Sequence, residues 1–409
     1  MNDEHDELRD AIRRVCSKFG DDYWRDHDER EEFPWEFYET LAEGGWIGIA
    51  IPEEYGGGGL GMSALSAVAE EMASTGNGLL LIVVSPAIAG SILMEEISAS
   101  GAAMNGASSI HLSIFGMNPV VKHGSPQMRA RYLPRVASGA LHVSFGVTEP
   151  DAGTDTTAIT TRARRVDGGY LVRGRKVWMT KAGISERVLL LVRTTPLEEV
   201  ARRTEGMTLL FANLKAPEVE TRAIPKVGRN AVASFEVSFD DLFVSEEDRV
   251  GEEGKGFTYL LDGLNPERIL IAAEAFGIGR VALDRAVRYA RDRVVFGRPI
   301  GQNQGIAFPL TEAHARLRAA EHVIRDASAR YDAGLPCGEM ANLAKFLAAD
   351  AAYFAADRAV QTLGGMGYAR EYDVERYWRE ARLMRLAPIS QEMILNYVAE
   401  HVLGLPRSY

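Results

Sequence analysis

The spacing of apolar residues changes twice along the chain, and this constrains the fold more than any single motif. Residues 1 to about 143 and residues 248–409 carry apolar positions at helical spacing. Between them, residues 144–247 carry β-type runs and lack the helical period. A chain of 409 residues is long enough for two or three domains. The order predicts an α+β protein with an N-terminal helical domain (1–143), a middle antiparallel β domain (144–247) and a C-terminal helical domain (248–409).

A β-hairpin is predicted early in the middle region. The segment RARRVDGGYLVRGRKVWMT (162–180) places two β-type runs on either side of Asp167-Gly168-Gly169, a sequence typical of hairpin turns. Three later segments are further strand candidates: ERVLLLVRTT, GMTLLFANL and ASFEVSFDDL. The middle region is therefore expected to form a sheet.

The C-terminal region contains four predicted helices, expected to form a four-helix bundle: residues 266–293, 310–333, 338–363 and 389–403. Two of them, 266–293 and 338–363, are rich in alanine and apolar around much of their circumference. Helices of this kind are buried on several sides, in a bundle core or at a subunit interface. The pattern therefore favours an oligomer.

Composition argues against several classes of protein and of site. The net charge is −11 with both signs interspersed, which argues against a nucleic-acid partner. No apolar run reaches the roughly 18 residues that span a bilayer, so no integral membrane segment is expected. Two cysteines form no disulfide framework and the acidic N-terminus does not resemble a secretory signal, so a cytoplasmic location is expected. The eight histidines lack metal-ligand spacing, and no metal site is expected.

Three stretches are candidates for a binding site. FGVTEPDAGTD (145–155) is rich in hydroxyls and small residues, although its centre also fits a solvated turn. GRKVWMTKAG (174–183) places Trp178 and Thr180 on one face of a strand; the alternative is a core tryptophan beside a surface threonine. In QTLGGMGY (361–368), paired glycines can end a helix and let a ligand approach the backbone.

With these stretches in this order, together with RVVFGRPIGQNQ (293–304), the chain resembles the acyl-CoA dehydrogenase family over nearly its whole length. The resemblance implies the three-domain fold of that family, with FAD held at a subunit boundary of a homotetramer or dimer. It also implies the reaction: an acyl-CoA thioester loses its α-proton to a glutamate while a hydride passes from the β-carbon to flavin N5. Electrons would then pass to an electron-transfer flavoprotein.

The resemblance also implies roles for individual residues. Beside the flavin ring it places Phe145, Val147, Thr148, Trp178 and Thr180. On the rest of the FAD, partly that of a neighbouring subunit, it places Arg293, Phe296, Gln304, Gln361, Gly365 and Ser390. It implies contacts of Thr154 with both FAD and acyl-CoA, and puts Asn265 and Arg268 on the acyl-CoA side. An aromatic wall such as Trp178 would exclude water from a flavin that receives a hydride.

The chain departs from the medium-chain type of the family at the catalytic base. In that type the base is the glutamate of a Glu-Gly-Thr segment, and REARLMRLAPISQEM (379–393) aligns there without gaps, with Pro388 at its position. Proline is no base and has no backbone N–H, whereas in the family that N–H is one of two donors to the thioester oxygen. Losing one such donor can cost roughly 2.7–4 kcal/mol of transition-state stabilisation.

The segment GLNPERILIAA (263–273) offers a substitute carboxylate. Asn265 is expected to cap this helix, with Pro266 at its first position. Isovaleryl-CoA and long-chain acyl-CoA dehydrogenases carry their base on this earlier helix, just before an arginine, and Glu267-Arg268 falls there. Burial would raise the pKa of such a carboxyl toward neutrality, whereas the helix dipole would lower it. We interpret Glu267 as the catalytic base; the alternative is a first-turn acidic residue that only stabilises the helix.

Other functions stay open at this point. The family includes oxidases, monooxygenases and enzymes that act on carrier-protein thioesters, and the vacant base position is compatible with each. A catalytically silent scaffold is a further alternative. Retention of Thr148, Trp178, Arg293 and Gln361 argues against it.

One segment is interpreted as an insertion. Relatives run from a similar EYGG stretch into a single Glu-Glu helix, so about 25 residues near 62–87 look additional. The near-repeat of AEEMASTG (69–76) in MEEISASG (94–101) is also explained by two similar amphipathic helices.

Overall fold

The computed structural model describes residues 6–57, 86–114 and 116–408. Its N-terminal region consists of helices: α1 Asp6–Cys16, α2 Asp21–Arg30, α3 Trp35–Glu43, α4 Pro86–Ile97, α5 Ala103–Ile114, α6 Asn118–His123 and α7 Pro126–Ala137. A π-helical turn, Ser98–Ala102, joins α4 to α5. The helical prediction is confirmed for the described part of this region. Residues 62–85 of the proposed insertion, with the first copy of the near-repeat, lie outside it.

Eight strands form one sheet in the middle region: β1 Val143–Gly146, β2 Arg162–Val166, β3 Gly169–Thr180, β4 Arg187–Arg193, β5 Met207–Asn213, β6 Val219–Ala223, β7 Ser234–Ser245 and β8 Arg249–Val250. Their order is β6-β7-β3-β2-β4-β5-β8, and β1 pairs with β4 outside this path. The predicted hairpin is formed by β2 and β3. Gly168 has a φ of +74° in its turn, a conformation that glycine adopts without strain.

The sheet is only partly antiparallel. β3 pairs antiparallel with β2 and β7, and β5 pairs antiparallel with β4 and β8. However, β1 and β2 run parallel to β4. The cause is connectivity: the chain reverses from β2 to β3 and again from β3 to β4, so β4 regains the direction of β1 and β2.

The C-terminal region is again helical: α8 Gly256–Asp262, α9 Leu264–Asp292, α10 Gln304–Asp332, α11 Gly338–Leu363, α12 Val374–Met384 and α13 Gln391–His401. A small hairpin, β9 Val294–Val295 and β10 Arg298–Pro299, separates α9 from α10. The four predicted helices correspond to α9, α10, α11 and α13. Helices α9 and α11 pack closely: a Cβ atom added to Gly279 of α9 would lie only 2.9 Å from the Cα atom of Ala352 on α11.

The N-terminal and C-terminal helices share one hydrophobic core. Helix α4 packs against α9 and α10, and α5 packs against α9 and against strand β1. This packing brings the beginning of α9 close to α5 and to one end of the sheet. No helix in the described ranges is long and apolar enough to cross a membrane.

Candidate active site

A buried ion pair fixes the segment 145–155 against strand β3. Lys176 Nζ lies 2.9 Å from Glu149 Oε1, and these side chains are only 0% and 5% exposed. The same ammonium group donates to the carbonyl of Val147 at 2.9 Å. Burial alone would raise the pKa of Glu149, but the Lys176 charge and the hydrogen bonds that the carboxylate accepts outweigh burial and lower the pKa to about 2. This pair therefore determines the path of the backbone at the predicted flavin face.

Thr148 and Trp178 lie on neighbouring stretches of backbone. The N–H of Val177 donates to the carbonyl of Thr148 at 2.9 Å. The Trp178 side chain is 56% exposed, Thr180 is half-buried, and Met179 between them is fully buried. Trp178 and Thr180 thus share the open face of β3, so the alternative of a core tryptophan is wrong.

Strand β1 is attached to the end of β3. Ser144 Oγ donates to the carbonyl of Thr180 at 2.7 Å. Phe145 and Val147 are half-buried, and Thr154 is exposed in the turn that follows. The structure therefore gathers the residues predicted beside the flavin ring at one end of the sheet.

Helix α9 begins earlier than predicted. Leu264 is its first residue, and Gly263 before it already has helical backbone angles because α8 runs almost directly into α9. No extended residue is left to act as a side-chain cap, so the prediction that Asn265 caps the helix is wrong. Asn265 Oδ1 instead accepts from Arg268 Nη1 at 3.0 Å. Pro266 is the third helical residue, still within the first turn, where the missing N–H has no intrahelical partner.

Glu267 is in the first turn of α9, and its side chain is 22% exposed. Its Oε1 lies 3.9 Å from Nε2 of His111 on α5, an ion-pair distance that is too long for a hydrogen bond. On the other side of the imidazole, Nδ1 lies 2.7 Å from Oε1 of the fully buried Glu274. His111 therefore stands between two carboxylates of one helix.

Among the described residues, the first turn of the helix after Pro388 contains no buried carboxylate that could replace the missing base. Pro388 is exposed just before α13, and Ser390 Oγ accepts from the N–H of Met393 at 3.4 Å and so caps that helix. Glu392, in the first turn of α13, is exposed. The structure thus gives Ser390 a capping role and puts Glu392 on the surface.

The residues predicted at the far end of the FAD lie on the surface of the single chain: Arg293, Phe296, Gln304, Gln361 and Gly365. Phe296 forms the tip of the β9–β10 hairpin and is fully exposed. Gly364, with φ of +61°, ends α11, and a Cβ atom on Gly365 would meet no atom within 4 Å. An exposed aromatic ring and an accessible glycine backbone fit a ligand shared between chains.

Sequence reasoning missed four residues of this region: Glu149, Lys176, His111 and Glu274. A signal existed for Lys176, since it continues the pattern in which every second residue of β3 is buried, as Tyr170 and Val172 are. A register shift between Lys176 and Met179 then turns Trp178 to the open face. A lysine on a buried face needs hydrogen-bond acceptors for its ammonium group, and a carboxylate is one of the groups that can provide them. Within the described part of the chain, no group of three or more His, Cys, Asp or Glu residues is arranged to hold a metal ion.

The chain matches the sequence profiles of one family in all three regions. The acyl-CoA dehydrogenase N-terminal domain matches residues 2–93 and 85–140, the middle domain 144–242 and the C-terminal domain 254–403. The chain therefore belongs to the acyl-CoA dehydrogenase family, as its motifs predicted.

Individual relatives agree with this assignment. The chain is 38% identical over 410 residues to the acyl-CoA dehydrogenase FadE12 of Mycobacterium tuberculosis, covering 100% of this chain and 98% of that protein. It is 34% identical to an acyl-CoA dehydrogenase of Bacillus subtilis, covering 92% of each chain. The structure of glutaryl-coenzyme A dehydrogenase in complex with glutaryl-CoA is similar with a TM-score of 0.87 and 25% identity, covering 100% of this chain and 97% of that one.

Proposed function

We propose that the protein is an FAD-dependent dehydrogenase of acyl-CoA thioesters in which Glu267 removes the α-proton. The observation that carries this proposal is a partly buried carboxylate at the beginning of α9, in a family whose other base position is occupied here by Pro388. The acyl-CoA loses a proton from its α-carbon and a hydride from its β-carbon, and becomes a 2-enoyl-CoA. Bound FAD supplies the acceptor for the hydride at its N5 atom.

The residues at the end of the sheet fit the flavin ring. Trp178 offers an exposed aromatic face, and the half-buried Thr148 and Thr180 lie on the adjoining backbone. In this role Trp178 would exclude water from the reacting atoms. Arg268, with its guanidinium held by Asn265, is proposed on the acyl-CoA side, as is Thr154.

Pro388 supports a second candidate. It removes both the carboxylate and the backbone N–H that many relatives use at this position. This vacant position is also compatible with an enzyme of the same fold and different chemistry: an acyl-CoA oxidase, a monooxygenase or a carrier-protein-thioester dehydrogenase.

Anaerobic addition of an acyl-CoA panel separates the two candidates. A dehydrogenase is expected to lose its FAD absorbance with at least one straight or branched acyl-CoA, to form little peroxide in air and to pass electrons to an electron-transfer flavoprotein. Rapid peroxide formation would show an oxidase instead. FAD-loaded protein that no acyl-CoA bleaches would contradict the dehydrogenase proposal.

We further propose that Phe296 completes the FAD site of a neighbouring copy in a homotetramer or dimer. Phe296→Ala is expected to raise the Kd for FAD at least tenfold, because burying a phenylalanine side chain contributes roughly 1.5–3 kcal/mol. Titration of the apoprotein with FAD measures this change. Phe243→Ala is the matched control, since Phe243 is an exposed phenylalanine on β7. Equal affinities in both variants would contradict the role of Phe296.

A further inference from the structure

His111 joins two carboxylates that lie on one face of α9. Glu267 and Glu274 are seven residues apart, about two helical turns, and the imidazole reaches both. A neutral imidazole has one donor nitrogen and one acceptor nitrogen, so its lone pair would face one of the two carboxylates. The imidazolium keeps an N–H toward both carboxylates, one in a hydrogen bond at 2.7 Å and the other at an ion-pair distance of 3.9 Å. The two negative charges therefore favour the protonated ring.

The burial of Glu274 also favours the protonated form of His111. Its side chain has no exposed surface, and its Oε2 has no hydrogen-bond partner among the described residues. A buried carboxylate is destabilising unless it is paired with a positive charge. His111 Nδ1, at 2.7 Å, is its hydrogen-bond partner. Burial alone would lower the pKa of His111, but the charges of Glu274 and Glu267 outweigh burial and raise it.

Other charged groups surround this trio without taking the place of His111. Arg229 from the loop before β7 contributes positive charge toward Glu274, while its Nη2 donates to a serine hydroxyl. Lys181 at the end of β3 donates to a backbone carbonyl of α5 at 3.0 Å, and burial lowers its pKa to about 7. Arg268 contributes positive charge toward Glu267, while its Nη1 atom donates to an asparagine of its own helix turn. Among these groups, the ion-pair contact with the Glu267 carboxylate is made by His111.

We propose that His111 is a positioning residue for the catalytic base: as an imidazolium anchored by Glu274, it keeps the Glu267 carboxylate ionised and fixed in place. The inference rests on the proposed function, in which Glu267 takes the α-proton. A carboxyl group must be ionised before it can accept a proton, and a positive charge nearby favours the ionised form. The Nε2 atom of His111 lies 3.9 Å from the Glu267 carboxylate, close enough to act in this way.

His111→Gln tests this role because glutamine keeps the polarity and removes the charge. We expect the acidic limb of the pH profile of anaerobic FAD reduction to move upward by about one pH unit or more. Below that limb the rate should fall about tenfold relative to the wild type, since one pH unit is a factor of ten in the ionised fraction. Above it the rate should recover to within a few-fold. A purely structural role would lower the rate equally at every pH.

Two further variants make the test decisive. Glu274→Gln removes the negative charge that anchors His111 and should also move the acidic limb of the pH profile upward. If His111→Gln does not retain FAD, the Glu274→Gln profile tests the role of His111 instead. His123→Gln is the matched control: His123 Nε2 pairs with Asp262 Oδ2 at 2.9 Å, outside the trio. This control should leave the profile unchanged.

The outcomes separate this inference from the function on which it rests. An unshifted limb in FAD-loaded His111→Gln and Glu274→Gln, together with an inactive Glu267→Gln, would overturn the role of His111 alone. A Glu267→Gln variant that reduces FAD at the wild-type rate would overturn both. An upward shift in both His111→Gln and Glu274→Gln, but not in His123→Gln, is the expected result.

Discussion

Glu267→Gln is expected to slow the reduction of FAD by acyl-CoA about 10²–10⁴-fold, the usual contribution of a positioned general base. Glutamine has nearly the shape of glutamate but accepts no proton at neutral pH. Because the side chain is 22% exposed and, among the described residues, contacts His111 at an ion-pair distance of 3.9 Å rather than through a hydrogen bond, the fold and FAD content should be retained. Anaerobic stopped-flow absorbance of the FAD measures the rate.

Glu392→Gln is the matched control for this prediction. Glu392 is an exposed first-turn glutamate of α13, close in sequence to the vacant base position at Pro388. The control should reduce FAD at the wild-type rate. Slow FAD reduction by Glu392→Gln together with fast reduction by Glu267→Gln would show that the base lies in the C-terminal segment, and would contradict the assignment of Glu267.

Lys176→Met is expected to lower the free energy of unfolding by about 3–5 kcal/mol, because it leaves the carboxylate of Glu149 buried without its counter-charge. It should also weaken FAD binding, since the ammonium group holds the backbone of Val147 at the proposed flavin face. Urea unfolding and FAD titration measure the two effects.

Arg203→Met provides the control for the lysine variant. Arg203 pairs with Asp155 of the same segment at 2.6 Å, but these side chains are 58% and 57% exposed. Loss of such a pair should change the free energy of unfolding by less than about 1 kcal/mol. Equal destabilisation by Lys176→Met and Arg203→Met would show that the buried pair does not organise the segment.

The Glu149–Lys176 pair should also make part of the free energy of unfolding sensitive to acid. The pKa of Glu149 is lowered from 4.5 to about 2 in the folded protein, with burial opposing and the Lys176 charge and hydrogen bonds causing the shift. The contribution of the Glu149 carboxylate to the free energy of unfolding is therefore complete above its pKa in the unfolded chain. It is lost as the pH falls through its pKa in the folded protein. Lys176→Met should lack it, so the stability difference between variant and wild type should shrink in acid.

The sequence predicts the long elements of the fold well, because their apolar faces repeat with a single period. Helix α12 was not predicted, and its composition explains why. Its buried apolar residues do follow helical spacing: Val374, Tyr377, Ala381 and Met384. However, the helix has only 11 residues, and the buried charges of Arg376 and Glu380 lie beside the stripe, so the apolar pattern is short and weakly set off from its charged neighbours.

The candidate site was predictable only in part. Glu267 was predicted from the family position and the proline at 388, whereas His111 comes from a helix more than 150 residues earlier in the chain. No spacing connects them, and packing of α5 on α9 alone brings them together. A weaker signal was available in Glu274, a charged residue two turns beyond Glu267 on an apolar helix. Such a residue needs a partner for its charge, but the sequence does not show which residue provides it.

Exchange of the α-proton separates proton removal from hydride transfer and tests the role of Glu267 most directly. An acyl-CoA analogue with sulfur in place of the β-carbon has no β-hydride to give, so only removal of the α-proton is observed. In D₂O, the FAD-loaded wild type should incorporate deuterium at the α-carbon, as measured by mass spectrometry. Glu267→Gln should do so at no more than about one hundredth of that rate. Incorporation by Glu267→Gln at the wild-type rate would contradict its assignment as the catalytic base.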